Sequence, residues 1–204
     1  MSALTVLVIG LAAFAVTAGN GSSGDNLPPP APADTPEPMT TFRDAETGST
    51  LEYPRAWRRV MVPDATYRLV LDGGNNVAMT FRYAQTDVAT TPANLENIKA
   101  VTDGIVASNP TAQVVNQRAI QLNGMIGYFY LYTFTDDAGL KAAHSHYFLF
   151  QGRKMNMIVF QAPPDDFDGL GDTFDKIINS FRSDPNVPSA ATAPPSTTTT
   201  TAAP

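Results

Sequence analysis

Two segments decide the fold: Met125–Thr135 (MIGYFYLYTFT) and residues 140–150 (LKAAHSHYFLF), which are joined by residues 136–139 (DDAG). The short polar loop predicts a β-hairpin. The chain has one Trp, seven Tyr and 11 Phe, and nine of these lie between Tyr128 and Phe160. A sheet that is apolar on both faces must be covered on both faces. Together with two amphipathic helical patterns elsewhere, the hairpin predicts the α+β class, a three-layer α/β/α sandwich with a mainly antiparallel sheet.

The hairpin register is expected to follow from the loop length. Across a loop of four residues, Thr135 should face Leu140. The expected pairs are Leu131 with His144 and Phe129 with His146 on one face, and Tyr128 with Tyr147 and Tyr130 with Ser145 on the other. The histidines are then predicted to lie beside Phe129, Leu131 and Phe148.

The rest of the central region alternates between strand and helix patterns. Strands are predicted at 51–53, 67–71, 77–84, 114–122 and 155–161, and helices at 91–109 and 165–181. Pro54 cannot donate a ladder hydrogen bond, so the first strand is expected at a sheet edge. Asp165 is expected to cap the final helix, whose apolar stripe should dock on the sheet.

Charge and proline content separate one ordered unit from its flanks. Between Phe42 and Arg182 lie all 13 Lys and Arg and 15 of the 19 Asp and Glu, which is 13 positive against 15 negative charges, or −2. Eleven of the 17 Pro lie outside this unit. Without a dense basic stripe, nucleic-acid binding is not expected. The absence of Cys excludes disulfides, thiolate metal sites and thiol nucleophiles.

Residues 1–18 are predicted to be an export signal. Residues 3–18 carry no charge, and as a helix they would span about 24 Å, less than the roughly 30 Å of a bilayer core. Val16-Thr17-Ala18 suits cleavage after Ala18. No Lys or Arg precedes Arg43, so an uncleaved membrane anchor stays open as the alternative.

Two polar segments flank the predicted domain at 41–183. Residues 19–40 are a Gly/Ser/Pro-rich linker, and residues 184–204 form a Pro/Ala/Thr tail that is expected to be disordered. Asn20 stands where a bacterial lipoprotein signal would carry its Cys, so lipid attachment is not expected. Five consecutive Thr in the tail are also typical of O-glycosylated stalks, and a bare tail is the other interpretation.

Three landmarks resemble the PsbP-like superfamily. They are Tyr53-Pro54-x-x-Trp57, the tyrosine-rich hairpin, and the ending formed by 162–167 (APPDDF) and 178–181 (INSF). The superfamily includes photosystem II accessory proteins, a nuclear-import factor that binds the GTPase Ran, and exported actinobacterial proteins of the LpqN type. The resemblance implies a non-enzymatic α/β/α domain that serves as an adaptor or accessory subunit, and it carries no catalytic residue or cofactor to this chain.

His144 and His146 are the only histidines, and their spacing points both rings to one face of a strand. This geometry is found in metal sites, but a zinc site needs three or four ligands. The predicted neighbours are apolar, so packed imidazoles are the preferred interpretation. No G-x-S-x-G, H-E-x-x-H, P-loop or G-x-G-x-x-G motif occurs, and no catalytic residue is assigned.

A partner surface is predicted from two residue groups. The first consists of Arg55, Arg58 and Arg59 around Trp57, where guanidinium groups could bind an anionic partner. The second consists of Tyr128, Tyr130, Tyr132 and Tyr147, which form either core or, under a loosely seated helix, a cleft.

The sequence therefore favours a monomeric, exported binding or accessory protein of the cell envelope. Its partner is expected to be an envelope protein or a lipid, and the N-terminal segment could tether it to the membrane. Two alternatives stay open: an envelope hydrolase that uses His144 or His146 as a base, and a metal-handling protein.

Overall fold

The structure is a computed structural model that describes residues 37–136 and 138–187. These ranges contain nine β-strands and two α-helices. The elements are β1 (Met39–Asp44), β2 (Ser49–Pro54), β3 (Arg58–Arg59), β4 (Tyr67–Gly74), β5 (Val77–Thr90), α1 (Leu95–Ala107), β6 (Gln113–Leu122), β7 (Met125–Thr135), β8 (Lys141–Ala162), α2 (Gly171–Ser180) and β9 (Arg182–Ser183). The predicted export signal, most of the linker and the tail beyond Val187 lie outside the described residues.

The central sheet has the strand order β3-β4-β5-β8-β7-β6, and every pairing in it is antiparallel. The predicted hairpins at 67–84 and 125–150 are both present. Asn123 and Gly124, with φ of 50° and 80°, form the predicted tight turn between β6 and β7. The predicted fold class is confirmed: α+β, with mainly antiparallel sheets.

Strand β8 folds back on itself at Gly152. The side chains of His144 and Gln161 hydrogen-bond at 2.8 Å, although 17 residues of straight strand would separate them by about 56 Å. Gly152 has a φ of 60°, a conformation that glycine adopts without strain. The first half of β8 pairs with β7 and the second half with β5, so the two segments that the sequence predicts as separate strands lie side by side.

A second, three-stranded sheet has the order β1-β2-β9. The expectation that residues 51–53 lie at a sheet edge was wrong, because β2 is the middle strand of this small sheet. Its apolar side chains pack towards the central sheet, with the Phe42 and Phe81 ring centroids 6.5 Å apart. Leu51 is 1% exposed in the same core.

Two cations, the half-buried Arg68 and the buried Lys154, connect the small sheet to the central one. Arg68 of β4 donates to Asp44 at 2.7 Å and also binds Glu46. Lys154 of β8 donates to the carbonyl oxygens of Thr47 at 3.0 Å and Asp184 at 2.7 Å. The turn after β1 and the chain after β9 are therefore held by one ammonium group.

Three layers enclose two apolar cores. Helix α1 covers one face of the central sheet, and α2 together with the small sheet covers the other. The core under α1 is built from Val106, Tyr128, Tyr130, Tyr132, Phe134, Ala142, Phe148, Phe150, Met155 and Met157. The predicted stripe of the final helix lies in the other core, where Phe174, Ile177, Ile178 and Phe181 are buried.

The predicted hairpin register was wrong by one residue. Thr135 pairs with Lys141 rather than Leu140, because Asp136 Oδ1 accepts the amides of Ala138 at 2.9 Å and Leu140 at 2.8 Å. These bonds draw Leu140 into the loop. The observed pairs are Tyr132 with His144, Leu131 with Ser145, Tyr130 with His146, Phe129 with Tyr147 and Tyr128 with Phe148. The histidines therefore share the face of Tyr128, Tyr130 and Tyr132, whereas Tyr147 lies on the opposite face.

The final helix begins later than predicted. Asp165 does not cap it, since residues 164–167 form turns and a short 3₁₀ helix occupies Asp168–Leu170 before α2 begins at Gly171. Two glycines, Gly169 and Gly171, weaken helix formation at this point. The predicted first helix is confirmed as Pro92–Asn94 in 3₁₀ form followed by α1.

Candidate functional site

His144 lies inside the sandwich with both ring nitrogens hydrogen-bonded. Nε2 donates to Gln161 Oε1 at 2.8 Å, because that oxygen can only accept, and Nδ1 accepts from the Tyr132 hydroxyl at 2.9 Å. Burial raises the pKa of Tyr132 and lowers the pKa of His144 to about 4, although the Gln161 bond opposes the latter change. His144 is therefore a neutral imidazole with a single defined tautomer at neutral pH.

His146 is buried without a hydrogen-bond partner. It is 1% exposed, and neither ring nitrogen finds a donor or acceptor within the described ranges. Its ring stacks on Phe148 with centroids 3.9 Å apart. Burial, and then the proximity of His144 and Arg82, lowers the pKa of His146 well below its ordinary value. The ring therefore packs as a neutral, apolar group, and its burial strongly disfavours protonation.

Arg82 is a buried charge that the sequence did not single out. It is 5% exposed on β5, donates to Thr66 Oγ1 at 2.9 Å, and lies 3.5 Å from a carboxylate oxygen of Asp64. Its guanidinium also sits 4.5 Å from the Tyr67 ring centroid. Arg82 alternates with Phe81 and Tyr83 in the predicted strand at 77–84, a pattern typical of a strand with one polar face. The residues before β4 cover this position instead, which pattern alone does not reveal.

The buried histidines lie in no metal-binding cluster of the described residues. In residues 37–136 and 138–187, no three His, Asp or Glu side chains come close enough together to hold a metal ion. Ser145 lies between the histidines in sequence, but its side chain points to the opposite face of the strand. With 6% and 1% exposure for His144 and His146, neither imidazole presents an edge to a substrate.

The tyrosine surface is closed by α1. Tyr128, Tyr130 and Tyr132 are 3%, 1% and 0% exposed. The Tyr130 hydroxyl donates to Asp103 Oδ1 at 2.7 Å and lies 2.7 Å from the Thr102 hydroxyl, so α1 is pinned to the sheet. Of the two interpretations of these tyrosines, the structure shows core.

Replacing Tyr130 with Phe should lower the free energy of unfolding by about 1–2 kcal/mol, because both hydroxyl contacts to α1 are lost while the ring is kept. Urea denaturation followed by circular dichroism measures the change. Tyr147→Phe is the matched control: Tyr147 is half-buried on the other face, and its hydroxyl makes no side-chain hydrogen bond in the described part of the chain. A loss in the control as large as that in Tyr130→Phe would contradict the assignment.

The predicted arginine group lies on the surface around a packed tryptophan. Arg58 is 71% exposed and pairs with Asp72 at 2.7 Å, and Arg59 lies 5.4 Å from the Phe42 ring centroid. Trp57 packs edge-on against Phe174 with centroids 6.4 Å apart. The tryptophan is thus anchored to α2, and Arg55, Arg58 and Arg59 remain a predicted partner surface.

The open border of the central sheet is β6. Residues 113–119 of this strand are all exposed, and Val114 and Val115 are 49% and 66% exposed. A groove of about 230 Å³ runs between β6 and α1. It is lined by Asp103, Val106 and Ala107 of α1 and by Val114 and Gln117 of β6. Sequence reasoning assigned β6 as a strand but not as an edge, because edge position depends on the order of the strands.

Comparison with known families and structures agrees with this architecture. The model of the PsbP family matches residues 37–183. Cyanobacterial PsbP (CyanoP) from Synechocystis sp. PCC 6803 is 19% identical with a TM-score of 0.53, over 81% of this chain and 99% of that protein. LpqN, described as involved in cell envelope biogenesis of Mycobacterium tuberculosis, is 14% identical with a TM-score of 0.51, over 74% of this chain and 87% of LpqN.

The sequence matches no curated protein significantly. Neither of the two α-helices within 37–136 and 138–187 has the length and apolar character needed to cross a bilayer.

Proposed function

This chain belongs to the PsbP family, and on that premise we propose that it is a non-enzymatic, exported binding protein of the cell envelope that contacts a protein or lipid partner. The observation that carries the proposal is the burial of both histidines, at 6% and 1% exposure. General acid–base catalysis requires a proton-transfer group within reach of substrate. The two imidazoles are instead used for packing and for one internal hydrogen-bond chain.

The envelope location is supported by two independent features. Residues 1–18 have the pattern of an export signal, and LpqN, which has the same fold, is described as involved in cell envelope biogenesis. A Pro-rich segment between the signal and Met39 would hold the domain at a distance from a membrane if the signal stays uncleaved. In either form, the domain proposed here would act outside the cytoplasm.

A pull-down from envelope extract with the tagged full chain tests the binding function. We expect enrichment of a specific protein, or of a specific lipid in the co-purified organic fraction, relative to the Gly127→Ala chain, in which a Cβ would overlap the carbonyl oxygen of Phe148 and prevent folding. Recovery of nothing beyond the unfolded control would contradict the proposal.

The hydrolase alternative is tested separately with an activity-based probe for serine hydrolases. We expect no labelling of the purified full chain. Labelling that is lost in both His144→Ala and His146→Ala, while circular dichroism stays unchanged, would overturn the non-enzymatic assignment.

A further inference from the structure

Strand β6 has an unpaired outer edge with little protection. It is the last strand of the central sheet as described, and its outer side therefore presents free backbone N–H and C=O groups. Natural edges are blocked by Lys, Pro or bulges, but β6 (QVVNQRAIQL) contains neither Lys nor Pro. One bulge interrupts the pairing between Val114 and Asn116, so the stretch from Asn116 to Leu122 is regular and available.

Arg118, the single charged residue of β6, does not block strand pairing at this edge. The guanidinium of Arg118 lies 5.1 Å from the ring centroid of Phe129. Phe129 faces the α2 side of the sheet, where it packs on Tyr147. The α1 side of the edge therefore contains no cation from β6.

The groove beside β6 on the α1 side contains one carboxylate. Among the described residues, Asp103 is the one charged residue that lines it, with a side chain 43% exposed. Burial alone would raise the pKa of Asp103, but hydrogen bonds from Lys99 and Tyr130 outweigh that effect and leave the pKa below its ordinary value. The group is thus ionised at neutral pH.

The present partner of Asp103 can be exchanged. Lys99 bonds both carboxylate oxygens, at 2.9 Å and 2.7 Å, as a partly exposed i,i+4 pair on α1. Such pairs contribute only about 0.3–0.5 kcal/mol. A cation that enters the groove can therefore join or replace Lys99 at little cost.

We propose that the outer edge of β6 binds an extended peptide segment of a partner protein by strand addition, and that a Lys or Arg side chain of this segment enters the groove to pair with Asp103. The inference rests on the proposed binding function and names its surface and partner class. The free backbone groups require an extended occupant, and alternate side chains of an added strand project to the α1 side, where the groove receives one of them.

A second copy of this chain fits the same edge less well. Antiparallel pairing of two β6 strands about a two-fold axis normal to the sheet keeps the α1 faces on the same side. The only cation of β6, Arg118, then stays on the α2 side, so the β6 strand of the second copy brings no positive charge to Asp103. Charge complementarity thus favours a foreign basic segment.

The test uses the full chain and three blocked nonapeptides of alternating Thr and Val. One has a central Lys, one has a central Glu, and one has the central Lys with alternate backbone nitrogens methylated to prevent strand pairing. Binding is measured by fluorescence anisotropy, and its position by hydrogen exchange of the backbone amides. We expect the Lys peptide to bind about tenfold more tightly than the Glu peptide, because Asp103 attracts the Lys side chain and repels the Glu side chain, and the two effects together come to about 1.4 kcal/mol. It should slow exchange of residues 116–122, and the methylated peptide should not bind.

Three surface variants give the proposal its controls. Asp103→Asn should abolish the preference for Lys over Glu, and Val114→Lys, which places a cation in the groove, should weaken binding of the Lys peptide at least tenfold. Val88→Lys is the matched control, since Val88 is 56% exposed on β5, and both halves of β8 and strand β7 lie between β5 and β6. It should bind as the wild type does.

Several results would overturn the inference. Failure of the Lys peptide to bind at millimolar concentration, or equal binding of the methylated peptide, would contradict strand addition. Slowed exchange outside β6 would place the site elsewhere. A dimer in light scattering, with the amides of residues 116–122 protected in the absence of peptide, would show that a second copy occupies the edge. An envelope partner recovered equally by wild type and Val114→Lys would remove the β6 assignment and leave the proposed function intact. If the Lys peptide binds as expected but no envelope partner is recovered, the β6 assignment stands and the proposed function is contradicted.

Discussion

Acidification from pH 7 to pH 4 should remove about 3 kcal/mol of folding free energy through His144 alone. Burial lowers the pKa of its imidazole from the ordinary 6.5 to about 4, and one pKa unit corresponds to about 1.4 kcal/mol. Below pH 6.5 the unfolded chain binds a proton that the folded chain refuses. The stabilisation is therefore complete above about pH 6.5 and is lost progressively as the pH falls towards 4. His146, whose pKa is also lowered, adds to the loss in the same direction.

The carboxylates act in a different pH range. The pKa values of Asp44, Asp64, Asp72 and Asp103 lie below their ordinary 3.8. A carboxylate with a lowered pKa stabilises the fold above 3.8 and loses that contribution only as the pH falls further. Most of a loss of stability between pH 6.5 and pH 4.5 can thus be assigned to the imidazoles.

Urea denaturation at pH 7 and pH 4.5 measures the loss of folding free energy, and two variants separate the contributions of His144 and His146. His146→Leu removes a ring whose nitrogens have no hydrogen-bond partner in the described part of the chain. It should therefore keep or raise stability at pH 7 while reducing the dependence on pH. His144→Leu leaves the Tyr132 hydroxyl and Gln161 without their partner and should cost about 1–3 kcal/mol at pH 7. Equal stability of the wild type at pH 7 and pH 4.5 would refute the assignment, as would an unchanged pH dependence in the double variant.

Gly127→Ala is expected to prevent stable folding. A Cβ on Gly127 would overlap the carbonyl oxygen of Phe148 and lie 2.9 Å from its carbonyl carbon, and both atoms belong to the backbone of the neighbouring strand. No side-chain rotation relieves such an overlap, so β7 and β8 must separate where Gly127 pairs with Leu149. We expect a loss of at least about 3 kcal/mol in the free energy of unfolding.

Gly104→Ala is the matched control for this substitution. Gly104 is an exposed glycine within α1, and a Cβ placed on it meets no atom within 4 Å. Alanine in a helix interior is favoured over glycine by about 1 kcal/mol, so this variant should be more stable than the wild type. Thermal melts of the two variants give the comparison, and a Gly127→Ala protein that melts near the wild-type temperature would show that the strands tolerate the methyl group.

The layers and most strands could be predicted from the sequence, because apolar periodicity and turn residues act locally. The hairpin register could not, and the reason lies in the same aromatic content that revealed the fold. A one-residue slip exchanges the two faces of a strand, which is costly only when one face is polar. Residues 144–150 offer apolar or aromatic side chains on both faces, so the pattern left the slip undecided. The side chain of Asp136 fixes the hairpin register through its hydrogen bonds to the loop amides of Ala138 and Leu140.

The one-residue register error also changed the predicted surroundings of the candidate site residues. The sequence singled out the histidines and placed Phe148 beside them correctly. Phe129 and Leu131 were the wrong cross-strand neighbours, so Tyr132 and Gln161 were not expected as partners of His144. Gln161 comes from the second half of β8, and its contact with His144 exists only because the strand folds back at Gly152. Arg82 and the β6 edge were missed because burial and edge position are properties of the assembled sheet.

The small sheet determines how the protein would respond to tension between its two ends. Strands β1 and β9 are each antiparallel to β2, so they run in the same direction. The chain enters at the start of β1 and leaves at the end of β9, at opposite ends of the sheet. A pull along the strand axis would load the interstrand bonds in shear, all at once, rather than peel them apart one by one. A domain suspended between a surface and a bound partner would resist extension first at β1, β2 and β9.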